Sequence, residues 1–122
     1  MTNYESGKIA EFFARLLFIL KGYTILCKNF KTGNGTNIGE VDFIARKQNL
    51  IVFVEVKKRS TLENAAQAIS EKQKKRIIRG AELYIKKNKK YHNFDIRFDA
   101  VLISFPFYFQ HIKNAWMYEN VY

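Results

Sequence analysis

Gly39–Lys58 reads GEVDFIARKQNLIVFVEVKK, and this stretch decides the fold. Residues 39–46 and 50–58 read as two strands, the second rich in β-branched and aromatic side chains. Lys47, Gln48 and Asn49 make a short polar turn, so the two strands form a hairpin. With the turn centred between Gln48 and Asn49, Asp42 lies opposite Glu55 and Glu40 opposite Lys57. Residues two apart share a face, so all four charges point the same way. The inner part of 50–58 is apolar at every position, the pattern of a central strand covered on both faces.

Two carboxylates facing each other across adjacent strands repel, and something must compensate them. A divalent cation does so economically, because hard cations take carboxylate oxygens. Such an ion could activate a water and polarise a phosphodiester, with the Lys57 ammonium beside the attacking water or the phosphate. The plainer alternative is a solvated face on which Asp42 and Glu55 pair with nearby lysines. Glu55 and Lys57 argue against it by interrupting the most apolar strand of the chain, where charge is costly unless paired or metal-bound.

Working outward, residues 5–21 read as a helix with one apolar face of Ile9, Phe12, Phe13, Leu16, Leu17 and Leu20, stopped at Gly22. A strand follows over 23–31, then a loop by composition over 32–37. Residues 62–88 are helical with a break near Ser70, where Ser70 and Gln73 have capping-box spacing. Residues 94–104 form another strand, ended by Pro106. The tail, 105–122, is aromatic, with room for one more strand around 111–117. Helix, three strands, helix and strand make an α/β domain, a mixed sheet flanked by helices, spanning 1–122 with its core at 5–104.

The chain has 122 residues and a net charge of +10, which favours a polyanionic partner, nucleic acid or an anionic membrane surface. Cys27 is the single cysteine, which excludes an internal disulfide and a Cys-based zinc site and fits a reducing cytoplasm. It sits in an apolar stretch and reads as a small buried hydrophobe. The N-terminus lacks the pattern of a signal peptide, and the longest apolar run, Leu16 to Leu20, is far too short for a membrane span. Stepping 100° per residue through the second helical region gathers Lys72, Lys75, Arg76, Arg79, Lys86 and Lys90 on one side. Ile77, Ile78, Ala81, Tyr84 and Ile85 fall on the other. The basic stripe, with Lys58 and Arg59, suits a phosphate backbone and carries no base-specific information.

These residues resemble the YraN-like bacterial family, an uncharacterised group related to Holliday-junction resolvases and restriction endonucleases. The matching pieces are Gly7 to Glu11, Gly22-Tyr23, Asn29-Phe30, Gly39 to Asp42, Val52 to Lys57, Lys72-Gln73 and Arg97 to Asp99. The resemblance implies a restriction-endonuclease-like PD-(D/E)xK core with a mixed four-stranded sheet between helices, order αβββαβ. It implies that Asp42, Glu55 and Lys57 are catalytic, that Gln73 orients the site, and that Glu11 approaches the metal held by Asp42 and Glu55. Val41 stands where the motif's proline would be.

Several placements stay open at this level. Glu11 lies opposite the apolar face of its helix, toward either the site or solvent. Gln73 is an orienting group or only the capping partner of Ser70. Glu40 is a second carboxylate or the ion-pair partner of Lys57, and Asp99 pairs with Arg97 or a lysine. His92 and His111 are isolated in sequence and receive no chemistry. The functional expectation is a Mg2+- or Mn2+-dependent endonuclease acting on DNA, branched or damaged, with a homodimer allowed and no membrane partner. The alternatives are a silent nucleic-acid-binding module of the same fold, and an interaction protein using Phe105, Phe107, Tyr108 and Phe109.

Overall fold

A computed structural model describes residues 2–35, 38–105 and 108–117. Helix α1, Asn3–Leu20, starts at Thr2, whose Oγ1 accepts from the Glu5 N–H at 3.1 Å. Strands β1 (Thr24–Thr32), β2 (Gly39–Lys47) and β3 (Leu50–Lys58) form an antiparallel meander. Helices α2 (Leu62–Gln67) and α3 (Glu71–Lys87) carry the chain over the sheet to β4, Asp95–Ser104, which runs parallel to β3. A parallel neighbour requires such a crossover. Strand β5, Tyr108–Trp116, then folds back antiparallel to β4.

The sheet therefore has five strands in the order β1-β2-β3-β4-β5, one more than the four expected. The extra strand begins three residues before the 111–117 segment that the tail left room for. Expectations resting on Thr36, Asn37, Pro106, Phe107 and residues 118–122 lie outside the described residues. The break near Ser70 separates α2 from α3, and Ser70 Oγ caps α3 by accepting from the Gln73 N–H at 3.1 Å.

Both faces of the sheet are covered. On one, Ile44, Ile51, Phe53 and Phe98 pack under Ile77, Ile78, Ala81 and Tyr84 of α3. On the other, Phe43, Val52, Val54 and Val101 pack under Ala10, Ala14 and Phe18 of α1. Burial of each large side chain here contributes about 1.5–3 kcal/mol.

Helix α1 departs from the pattern read in its sequence. Its buried side is Ser6, Ala10, Ala14 and Phe18, while Phe12, Phe13, Leu16 and Leu20 face outward. The alanines let the helix lie close on the sheet, and one large ring, Phe18, stands edge-on to Phe43 at 5.1 Å. The basic stripe of α3 also ends earlier than expected. Lys90 lies on a 3-10 turn past the helix, its ammonium 5.2 Å from the Tyr91 ring centre.

Candidate functional site

The site begins with the turn. Lys47 pairs with Leu50 across Gln48 and Asn49, with Gln48 at φ +53°, and the register continues to Phe43 opposite Val54. One step further, Asp42 meets Glu55. There the Asp42 Oδ2 accepts from the Val56 N–H at 2.7 Å, so a side chain takes a backbone donor of the facing strand. Glu55 is 7% exposed. Burial, a side-chain hydrogen bond with Asp42 and the Asp42 charge push its carboxyl up to about 9, against the pull of Lys57. The Glu55 carboxyl thus keeps its proton at neutral pH.

Lys57 stands two residues beyond Glu55, its Nζ 3.6 Å from Glu55 Oε2. The orientation of the Gln73 amide that satisfies both its ends has the oxygen accepting from Lys57 Nζ at 2.7 Å and the nitrogen donating to the Ala68 carbonyl at 2.9 Å. The alternative orientation gives only a long 3.4 Å contact from the Ser70 N–H. Gln73 therefore caps α3 with its backbone and steadies Lys57 with its side chain.

Glu11 turns toward the site. It lines the same cleft, of about 380 Å3, with Asp42, Glu55, Lys57, Gln73 and Glu40. Its Oε1 is buried without a hydrogen-bond partner among the described residues. Burial and the Asp42 charge push its carboxyl up, opposed by Lys8 and Arg15. A second cleft, of about 650 Å3, continues from this one past Glu11 and Lys57 to Lys58, Arg59 and Phe105.

No three His, Cys, Asp or Glu side chains among the described residues are grouped to hold a metal ion by themselves. The donor set nevertheless suits a hard cation that keeps several waters. Mg2+ binds through one or two carboxylates plus phosphate, and Asp42 and Glu55 are two carboxylates pressed together with the orphaned Glu11 oxygen in the same cleft.

Glu40 is not the partner of Lys57. It meets Arg76 of α3 at 3.4 Å, because Lys57 is taken by Glu55 and Gln73. Of the other basic residues singled out, Lys72 and Lys75 are exposed on α3, and Arg79 keeps a buried Nε without a partner among the described residues. Lys58 Nζ is held by Ser6 Oγ at 2.6 Å, and Arg59 donates to the Lys58 carbonyl at 2.7 Å.

A second polar cluster surrounds Asp99, and it includes the expected partner Arg97 together with His111 and Asn114, which the sequence did not single out. Asp99, fully buried, accepts from Arg97 Nε and Nη2, each at 2.7 Å, and from the Asn114 N–H at 3.0 Å. His111 Nε2 is 2.7 Å from its other side and Nδ1 is 2.8 Å from Lys21 Nζ. A lysine only donates, so His111 carries its proton on Nε2 and gives it to Asp99. His111 is thus a clasp between β5 and β4. His111 lies opposite Val101 in the regular part of the β4–β5 pairing, and the irregularity between Phe98 and Ala100 brings the Asn114 N–H onto Asp99. Cys27 is half-buried on β1, and burial pushes its thiol up. No helix among the described residues is long and apolar enough to cross a membrane.

The family model described as "Uncharacterised protein family UPF0102" matches residues 10–103. The chain belongs to UPF0102. This UPF0102 chain is 42% identical over 110 residues to a UPF0102 protein of Paramagnetospirillum magneticum, covering 90% of this chain and 85% of that one. It is 43% identical over 101 residues to a UPF0102 protein of a Bradyrhizobium species, covering 83% and 71%. A third UPF0102 protein, from Rhodopseudomonas palustris, is 40% identical over 113 residues, covering 93% and 85%. The match runs from one residue before Glu11 to one before the end of β4, so every residue of the cleft lies inside it.

Proposed function

We propose that this chain is a divalent-metal-dependent endonuclease that hydrolyses phosphodiester bonds in cytoplasmic DNA, branched or damaged DNA included. The observation that carries the reading is the meeting of Asp42, Glu55 and Lys57 in one cleft, with Glu11 and Gln73 entering from helices on opposite faces of the sheet. The order of elements supports a restriction-endonuclease-like PD-(D/E)xK core built on β1–β4, with β5 added at one edge.

Asp42 and Glu55 would hold Mg2+ or Mn2+, with Glu11 the third oxygen donor in reach of the cleft. Such an ion supplies a water of lowered pKa and polarises the phosphoryl oxygen. The chain's own residues supply position and charge. Lys57 sets its ammonium where negative charge builds on the phosphate, and Gln73 fixes that ammonium through its amide oxygen. The Val56 amide fixes the Asp42 carboxylate. Lys72, Lys75, Arg76, Arg79, Lys58 and Arg59 contact backbone phosphates and leave base sequence unread.

Incubating branched, single-stranded and duplex DNA with the protein and Mg2+ or Mn2+ tests the reading. The expected result is metal-dependent cleavage that Glu55→Ala reduces by about 100-fold or more. Salt-sensitive binding without cleavage by either protein would replace the enzyme with a silent binding module. Absence of binding at low salt would remove both.

A further inference from the structure

The outward side of α1 carries Phe12, Phe13, Leu16, Ile19 and Leu20, and the start of β5 continues it with Tyr108 and Phe109. These seven side chains are between 38% and 76% exposed. At ~150–250 Å2 for a large side chain, they show about 700 Å2 of apolar surface. That exceeds the ~300–600 Å2 of the largest patch on a typical monomer and approaches the ~800 Å2 per partner of a standard protein interface.

Relief and charge say what covers it. Phe12, Leu16 and Leu20, four residues apart, form one ridge along the helix. A groove of about 380 Å3 runs beside it toward β4 and β5, lined by Phe13, Leu17, Ile103 and Phe109. Another of about 380 Å3 runs on its other side toward β1, lined by Arg15, Ile19, Ile25 and Cys27. A ridge between two grooves is complementary to a copy of itself turned about a two-fold axis.

The protein is strongly basic, so two copies must meet where that charge is not. Helix α1 carries little net charge, Lys8 and Arg15 against Glu5, with Glu11 turned into the cleft, whereas α3 on the opposite face holds seven Lys and Arg against two Glu. An anionic bilayer would be drawn to the α3 side instead.

We infer that the exposed face of α1 is the interface of a homodimer, the ridge of each copy seated in a groove of the other with Leu16 near the two-fold axis. The inference does not rest on the nuclease reading, since no residue of the metal cleft lies in the interface core. Light scattering of the full chain at tens of micromolar should give twice the 14.4 kDa of one chain. The double variant Phe12→Glu, Leu16→Glu, at two exposed positions, should halve that mass while keeping its circular dichroism. In a Cys27→Ser background, Leu16→Cys should oxidise to a covalent dimer. A wild-type mass of one chain at every concentration overturns the inference. So does a dimer that survives the double variant, or a single-chain wild type that floats with phosphatidylglycerol vesicles. Metal titration of the same double variant reads the cleft separately.

Discussion

Gly39 and Gly80 meet backbone to backbone. A Cβ on Gly39 would stand 2.6 Å from the Gly80 nitrogen, and a Cβ on Gly80 would stand 2.9 Å from Cγ2 of Val41. This contact sets α3 down on the first residue of β2, one turn of helix past Arg76 and two past Gln73. The two sides differ in what must yield. Gly39→Ala drives into backbone and should cost about 2–3 kcal/mol in urea denaturation, at the upper end of overpacking losses. Gly80→Ala meets the Val41 methyl at 2.9 Å and the Glu40 backbone nitrogen at a less severe 3.2 Å, and gains about 1 kcal/mol of helix propensity, so its net cost should be smaller, about 1 kcal/mol. Equal costs would show that α3 is not seated on this point.

Glu55 trades stability for the site. Its carboxyl is raised in the folded protein to about 9, so its contribution is fully present below the ordinary carboxylate range near 4.5 and is lost as pH rises toward 9. Glu55→Gln should therefore stabilise the metal-free protein by about 1–3 kcal/mol at pH 8 and change little at pH 4. Thermal melts across pH read this directly. Mg2+ or Mn2+ should raise the melting temperature of the wild type and not of Glu55→Gln. Metal binding should also release a proton below pH 9, which calorimetry in buffers of different ionisation heat detects. A flat pH response in the variant comparison would mean that Glu55 is already compensated.

Gln73 acts through Lys57, and Gln73→Ala should show it. Cleavage should fall by about 10–100-fold with metal affinity changed far less, because the amide holds the ammonium and not the ion. If turnover and metal affinity fall together, Gln73 supports the helix cap and nothing more specific.

Asp99 anchors the far edge of the sheet. Hydrogen bonds from His111 and Arg97 outweigh its burial and hold its carboxyl below the usual range. Its contribution is present above the ordinary carboxylate value near 3.8 and is lost as pH falls through the depressed one. Asp99→Asn should cost about 3–5 kcal/mol at pH 7, the loss expected when a buried pair is broken. The gap between variant and wild type should narrow in acid. A constant gap down to pH 2 would assign the loss to packing.

What the sequence disclosed depended on distance along the chain. Asp42 opposite Glu55 was legible because two regular strands of period two meet at a two-residue turn, which leaves one register. The seating of α1 was not legible. Hydrophobic periodicity favours the large side chains Phe12 and Leu16, whereas closeness of packing selected Ala10 and Ala14. The direction of Glu11 followed from that choice. Glu40 stayed open between a second carboxylate and a partner of Lys57, since nothing local reveals that Gly39 and Gly80 draw Arg76 of α3 within reach. His111 was passed over because Asp99 lies diagonally across from it, two residues from its register partner Val101, and reaching it requires the β4–β5 pairing.

The bond from the Val56 amide to the Asp42 carboxylate makes the hairpin a fork whose tines stay parted at their tips. Both tines are counted from Gln48 and Asn49, the two residues at its root. One residue added or removed there would send the acids to opposite sides, together with every core side chain of the strand that slips. A turn of two residues is thus a loop whose length cannot drift.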